Sequence, residues 1–103
     1  MTQLLRLSDS EVADRLTGLN GWKVVEGKLS AEYKFGDFIS AFGFMTSVAL
    51  IAERMNHHPE WFNVFDTVRI QLRTHEVDGI SQNDFLLATE VKKLYESIKL
   101  SNL

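Results

Sequence analysis

Residues 29–35, LSAEYKF, and after a Gly-Asp pair residues 38–56, FISAFGFMTSVALIAERMN, contain the change of rhythm on which the architecture turns. In the first run Leu29, Ala31, Tyr33 and Phe35 alternate with Ser30, Glu32 and Lys34. That is period two, a strand with one wet face. From Asp37 the period becomes helical. At about 100° per residue, Phe38, Ala41, Phe42, Phe44, Met45, Val48, Ala49, Ile51, Ala52 and Met55 gather on one half of a helix. Ser40, Thr46, Ser47, Glu53 and Arg54 take the other half, but Ile39 and Leu50 also lie there, with Gly43 beside them. A surface helix needs only one apolar stripe. Ile39, Gly43 and Leu50 are therefore either scattered surface residues or a narrow second face for another subunit.

Working outward, the strand pairs backwards across Glu26-Gly27-Lys28 with Trp22–Val25, which predicts a hairpin. Upstream, Ser8 with Glu11 fits a capping box, and Val12, Leu16 and Leu19 follow at helical spacing, with Gly18 as a stop and Asn20-Gly21 as a turn. Downstream, Pro59 forbids further helix. Trp61–Phe65 and Thr67–Thr74 read as two strands joined near Asp66, the second with Val68, Ile70 and Leu72 inward. Ser81-Gln82-Asn83-Asp84 opens a last helix whose stripe is Leu87, Val91, Leu94, Tyr95 and Ile98. The order α-β-β-α-β-β-α predicts an α+β fold: a four-stranded antiparallel sheet with three helices on one face, as a single domain over residues 1–103.

Composition narrows the classes. The 103 residues carry a formal net charge of −3, 24% charged and 45% hydrophobic residues, and no cysteine. Disulfide frameworks and zinc–thiolate sites are excluded, and no strongly basic stretch offers nucleic acid an electrostatic footprint. The N-terminus lacks the pattern of a signal peptide, and no run approaches the roughly 20 apolar residues of a membrane span. A soluble, intracellular domain is expected, small enough to gain from burial through self-association.

The chemistry-bearing stretch is ERMNHHPEWF, residues 53–62. Neighbouring histidines cannot share a face of a regular element, so His57 and His58 mark a bend. Glu53, four residues before His57, shares its helix face if the helix reaches that far. His75 has the parity of Arg69, Gln71 and Arg73 and extends the wet face of its strand. Imidazoles, with an ordinary pKa of about 6.5, both give and take protons near neutrality. Two of them at one ligand supply an acid and a base. Each residue also has a plain structural role available. A histidine at a helix C-terminus interacts well with the dipole, Asp84 can serve only its helix start, and Trp22 can be a half-buried strand opener or the wall of a flat ligand's pocket. Glu53, His57 and His75 match the ligand types of a non-haem iron site, but their spacing is arbitrary.

The spacing Glu53-x-x-x-His57-His58-Pro59, five residues to Phe65, nine more to His75 and eight more to Asp84 resembles the signature of the pterin-4a-carbinolamine dehydratases, also called dimerization cofactors of a hepatic homeodomain transcription factor. Ala41-Phe42-Gly43-Phe44-Met45-Thr46, His57–Val64 and Thr74-His75-Glu76 carry the likeness further, from about Gly21 to Ala88. The resemblance implies dehydration of a 4a-hydroxytetrahydropterin to quinonoid dihydropterin, with no metal and no cofactor, the pterin being substrate. It implies His57 and His75 as acid and base, with His58 holding the pterin and assisting. Glu53, Pro59, Trp22 and Asp84 match positions at the substrate site. It further implies homodimers or homotetramers, the latter through the long helix and hence Ile39, Gly43 and Leu50. The same helix face is what the family offers a homeodomain transcription factor, and with that role goes a cytoplasmic location extended to the nucleus. Phe65 stands where Tyr is common, Asn83 where vertebrate members often have Arg, and Val77 where Cys is frequent; an Arg contact to ligand would be missing here.

Overall fold

A computed structural model describes residues 4–101, the side chain of Ser101 excepted. Its elements are α1 (Asp9–Leu16), β1 (Lys23–Val25), β2 (Lys28–Lys34), α2 (Phe38–Met55), β3 (Glu60–Val64), β4 (Thr67–Leu72), a short 3-10 turn (His75–Val77) and α3 (Gln82–Ser101). The four strands form one antiparallel sheet in the order β1-β2-β4-β3. The α+β architecture and element order are those expected.

Local chemistry accounts for the element boundaries. Ser8 and Glu11 form the anticipated capping box, each side chain accepting from the other's backbone N–H at 3.1 and 2.9 Å. Those bonds hold the Glu11 carboxyl below its ordinary pKa, the backbone N–H of Ser8 contributing most. Asp37 caps α2 through the N–H of Ser40 at 2.7 Å, which likewise lowers its pKa. Glu26 and Gly27 both take positive φ, 51° and 78°, the conformation of a two-residue hairpin turn whose twist suits the flanking strands.

The register Leu29↔Leu72, Ala31↔Ile70, Tyr33↔Val68 aligns six side chains on one face, all buried beneath the helices. Phe44, Val48 and Ala52 of α2 and Leu87, Ala88 and Val91 of α3 close over them. At one side Tyr33, Phe35, Phe44 and Tyr95 meet with ring centroids 4.5 to 6.2 Å apart. Trp22 donates its indole N–H to the Tyr33 hydroxyl at 2.8 Å. Burial pushes the Tyr33 phenol up to about 12.

Four details depart from the sequence expectation. First, α2 is stopped by Asn56, in the left-handed conformation at φ 52°, with the N–H of His57 reaching back to the carbonyl of Ala52 at 3.0 Å. This is a Schellman-type ending, completed before Pro59 can act. Second, the buried stripe of α2 is narrower than its apolar half: Ala41, Phe44, Val48 and Ala52 are buried, whereas Phe38, Ile39, Phe42 and Leu50 are exposed, Ile39 and Leu50 by 80% and 70%. A sheet contacts a helix along a line, so residues at the edge of an apolar arc stay outside it. With 18 residues and mean hydropathy 1.3, α2 also meets the length and composition of a membrane span, contrary to the expectation that no segment would; four of its residues are committed to the core. Third, Phe65 leaves the strand for the turn at φ 52°, where the amide of Asn63 donates to its carbonyl at 3.3 Å and to that of Thr67 at 2.9 Å. Fourth, β4 ends at Leu72, so strand parity no longer governs His75, which opens the 3-10 turn.

Candidate active site

The reversal after α2, the end of β4 and the start of α3 come together at one end of the fold. His57 follows the left-handed Asn56 and is turned inward, only 7% exposed. Its Nε2 lies 2.6 Å from Oδ1 of Asp84, which is fully buried. The other carboxylate oxygen, Oδ2, accepts the Thr74 hydroxyl at 2.8 Å and the backbone N–H of Ser81 at 2.9 Å. Asp84 therefore performs the helix-start role and also reaches a histidine 27 residues away. A carboxylate can only accept, so His57 carries its proton on Nε2. Every buried side-chain nitrogen and oxygen among the described residues has a partner, and Nδ1 of His57 has none in the protein. Nδ1 is thus the nitrogen that reaches the surface.

His58 points the other way. Its Nε2 lies 2.8 Å from Oε1 of Glu53, with both side chains exposed. Glu53 thus serves His58, not the His57 that helical spacing alone suggested. The reason is the end of α2: past Asn56 the chain leaves the helical path, and the four-residue rule lapses. Pro59 follows, half-buried, and leads into β3.

His75 is exposed and directly follows Thr74, the residue bound to Asp84. The loop bearing it is closed by backbone bonds, Thr74 N–H to Gly79 carbonyl at 2.7 Å and Asp78 N–H to His75 carbonyl at 3.1 Å, and by an Arg73–Asp78 ion pair. One carboxylate therefore joins the segments that carry all three histidines.

Trp22 stands apart. It is buried edge-on against Tyr33, and it lines a concavity of about 860 Å³ with Ser30, Glu32, Arg69 and Gln71, none of the histidines among them. Among the described residues, no three His, Asp or Glu side chains gather as metal ligands, the Glu53, His57 and His75 set included. Sequence reasoning missed Thr74 and Ser81. A buried hydroxyl beside an otherwise apolar strand pattern was the available signal.

An α+β domain with carboxylate-anchored histidines at one end of its sheet is the class that fold and site define. The sequence profile of the family "Pterin 4 alpha carbinolamine dehydratase" matches residues 5–94. The chain is 55% identical over 89 residues to a "putative pterin-4-alpha-carbinolamine dehydratase" of Solibacter usitatus, covering 86% of this chain and 94% of that one. A protein of Prochlorococcus marinus strain MIT 9515 bearing the same name is 42% identical over 90 residues, covering 87% and 94%. Among solved structures, a "transcriptional coactivator/pterin dehydratase" from Brucella melitensis superposes with a TM-score of 0.84 at 40% identity, covering 87% of this chain and 98% of that one. The chain belongs to the pterin-4a-carbinolamine dehydratase family.

Proposed function

We propose that this protein is a 4a-hydroxytetrahydrobiopterin dehydratase acting in tetrahydrobiopterin recycling. The observation that carries the reading is the His57–Asp84 pair at 2.6 Å, which fixes one imidazole with a lone pair outward beside two exposed histidines. In the reaction the N5 proton leaves, a C4a=N5 double bond forms, and the C4a–O bond breaks as the departing hydroxyl is protonated and lost as water. His57 and His75 act as the base and acid, while His58, steadied by Glu53, holds the pterin and assists. Pro59 shapes the approach to that side of the site, and Asp84 orients His57. Trp22, bonded to Tyr33, acts on the substrate only through packing. Assistance of order 10²–10⁴-fold is what such general acid–base catalysis supplies, and the reading calls for no metal or cofactor. Stopped-flow dehydration of 4a-hydroxytetrahydropterin tests it directly. Acceleration proportional to protein concentration is expected, and a rate equal to the unassisted one would overturn it.

A second role is favoured by the exposed apolar face of α2, Phe38, Ile39, Phe42 and Leu50, and by the coactivator description of the Brucella protein. In this reading the face, with Gly43 open beside it, packs against further copies in a homodimer or homotetramer. It also serves a homeodomain transcription factor, placing the protein in cytoplasm and nucleus. Leu50→Glu is expected to lower the assembly mass in light scattering. An unchanged mass counts against the face.

A further inference from the structure

Behind His57 runs a hydrogen-bond chain that proton transfer does not itself use. Thr74, Ser81 and Asp84 are all fully buried, and the donors can be assigned from chemistry. The backbone N–H of Asn83 donates to Ser81 Oγ at 3.2 Å. The Ser81 hydroxyl then donates to Thr74 Oγ1 at 2.5 Å, because the single proton of Thr74 is directed to Asp84 Oδ2 at 2.8 Å. With the Ser81 N–H also on Oδ2, only Oδ1 remains for His57. Hydrogen bonds linked in this way polarise one another inside a protein.

The Thr74 hydroxyl is not needed to shape its loop, which the backbone bonds to Gly79 and the Arg73–Asp78 pair already close. Valine would fill the same volume next to β4 and avoid burying a polar atom. The hydroxyl's remaining task is at the carboxylate. We propose that Thr74 is a positioning residue: its hydroxyl locks the Asp84 carboxylate so that Oδ1 faces His57, which holds the imidazole as the Nε2–H tautomer with Nδ1 outward as the basic nitrogen. Since His75 is the next residue, the same bond ties the backbone of the second histidine to the first. The catalytic consequence rests on the dehydratase reading; the tautomer does not.

The test uses the whole chain with ¹⁵N-labelled histidine. Two-bond ¹H–¹⁵N correlations assign the His57 tautomer, and stopped-flow kinetics give kcat and KM for wild type, Thr74→Val, Thr74→Ser and Thr74→Cys. The wild type and Thr74→Ser are expected to show the Nε2–H form alone. Thr74→Val is expected to show a mixture of tautomers and a kcat lower by about 10-fold or more, the scale on which lost orienting partners act, with KM nearly unchanged. Thr74→Cys, a weak donor of similar size, repeats the comparison should valine prevent folding. A pure Nε2–H tautomer in folded Thr74→Val or Thr74→Cys overturns the proposal, even if melting temperature falls, because lost packing alone does not redistribute an imidazole proton. Tautomer mixing without any wild-type dehydration would uphold the positioning role and reject the dehydratase reading instead.

Discussion

His57 and His58 are joined by one peptide bond, and each presents Nε2 to a carboxylate, at 2.6 and 2.8 Å. Their surroundings are opposite. The His57–Asp84 pair is sealed, with the carboxylate fully buried and its second oxygen held by Thr74 and Ser81. The His58–Glu53 pair stands in solvent, 57% and 80% exposed at the side chains. Water and salt weaken an exposed pair and leave its partners free to move. The interior keeps a buried pair in one geometry and makes its disruption costly. One histidine is therefore held in place by the fold with only its Nδ1 edge outward, and its neighbour stands in solvent.

The largest effect expected from breaking this contrast is at Asp84. Asp84→Ala leaves the Thr74 hydroxyl, the Ser81 N–H and the His57 N–H without their acceptor, and should cost about 3 kcal/mol or more in urea unfolding, since each buried donor left unsatisfied costs about 1–3 kcal/mol. A loss below about 1 kcal/mol, the range of exposed pairs, would erase the distinction between the two carboxylates.

The next expectation sets the histidines side by side. His57→Ala should lose about 1–3 kcal/mol, because Oδ1 of the buried Asp84 carboxylate is left without its donor. His58→Ala should stay within about 0.5 kcal/mol, as exposed substitutions do. Equal stabilities by chemical denaturation would mean that burial does not separate them.

Smaller still is Glu53→Gln. Stability should change by no more than about 1 kcal/mol, while KM for the pterin rises and kcat holds if Glu53 only steadies a ligand-holding His58. A fall in kcat at constant KM would move Glu53 into the chemistry.

Tyr33 supplies a control for burial without a carboxylate partner. Its phenol is pushed up to about 12, chiefly by burial, from an ordinary value of 10.0. Below pH 10 the contribution of the buried neutral phenol is fully present. Between pH 10 and 12 the unfolded chain releases this proton while the folded chain keeps it, so stability falls as pH rises. Thermal melts of Tyr33→Phe should show a shallower decline over that window. The same slope as wild type would place the titrating group elsewhere.

Much of this was legible in residues 29–56. The switch from period two to a helical period fixed where β2 ends and α2 begins, and the Ser8–Glu11 capping box marked the start of α1 because its signal is local hydrogen bonding; the cap at Asp37 emerged only in the structure. The histidine spacing carried the family. What was not legible depended on what an element meets. The apolar half of α2 contained Phe38 and Phe42, yet only the line facing the sheet is buried. Helical spacing paired Glu53 with His57, but Asn56 turned the chain and gave Glu53 to His58.

The sequence by itself determined the order of elements, their periodicities and the residue types available for proton transfer, since these follow from backbone geometry and local side-chain chemistry. Only the tertiary structure decided which histidine is buried and what holds it. Asp84 lies 27 residues from His57, and Thr74 becomes their partner because β4 and α3 converge there. A contact between distant segments is set by packing of the whole core, which no local pattern encodes.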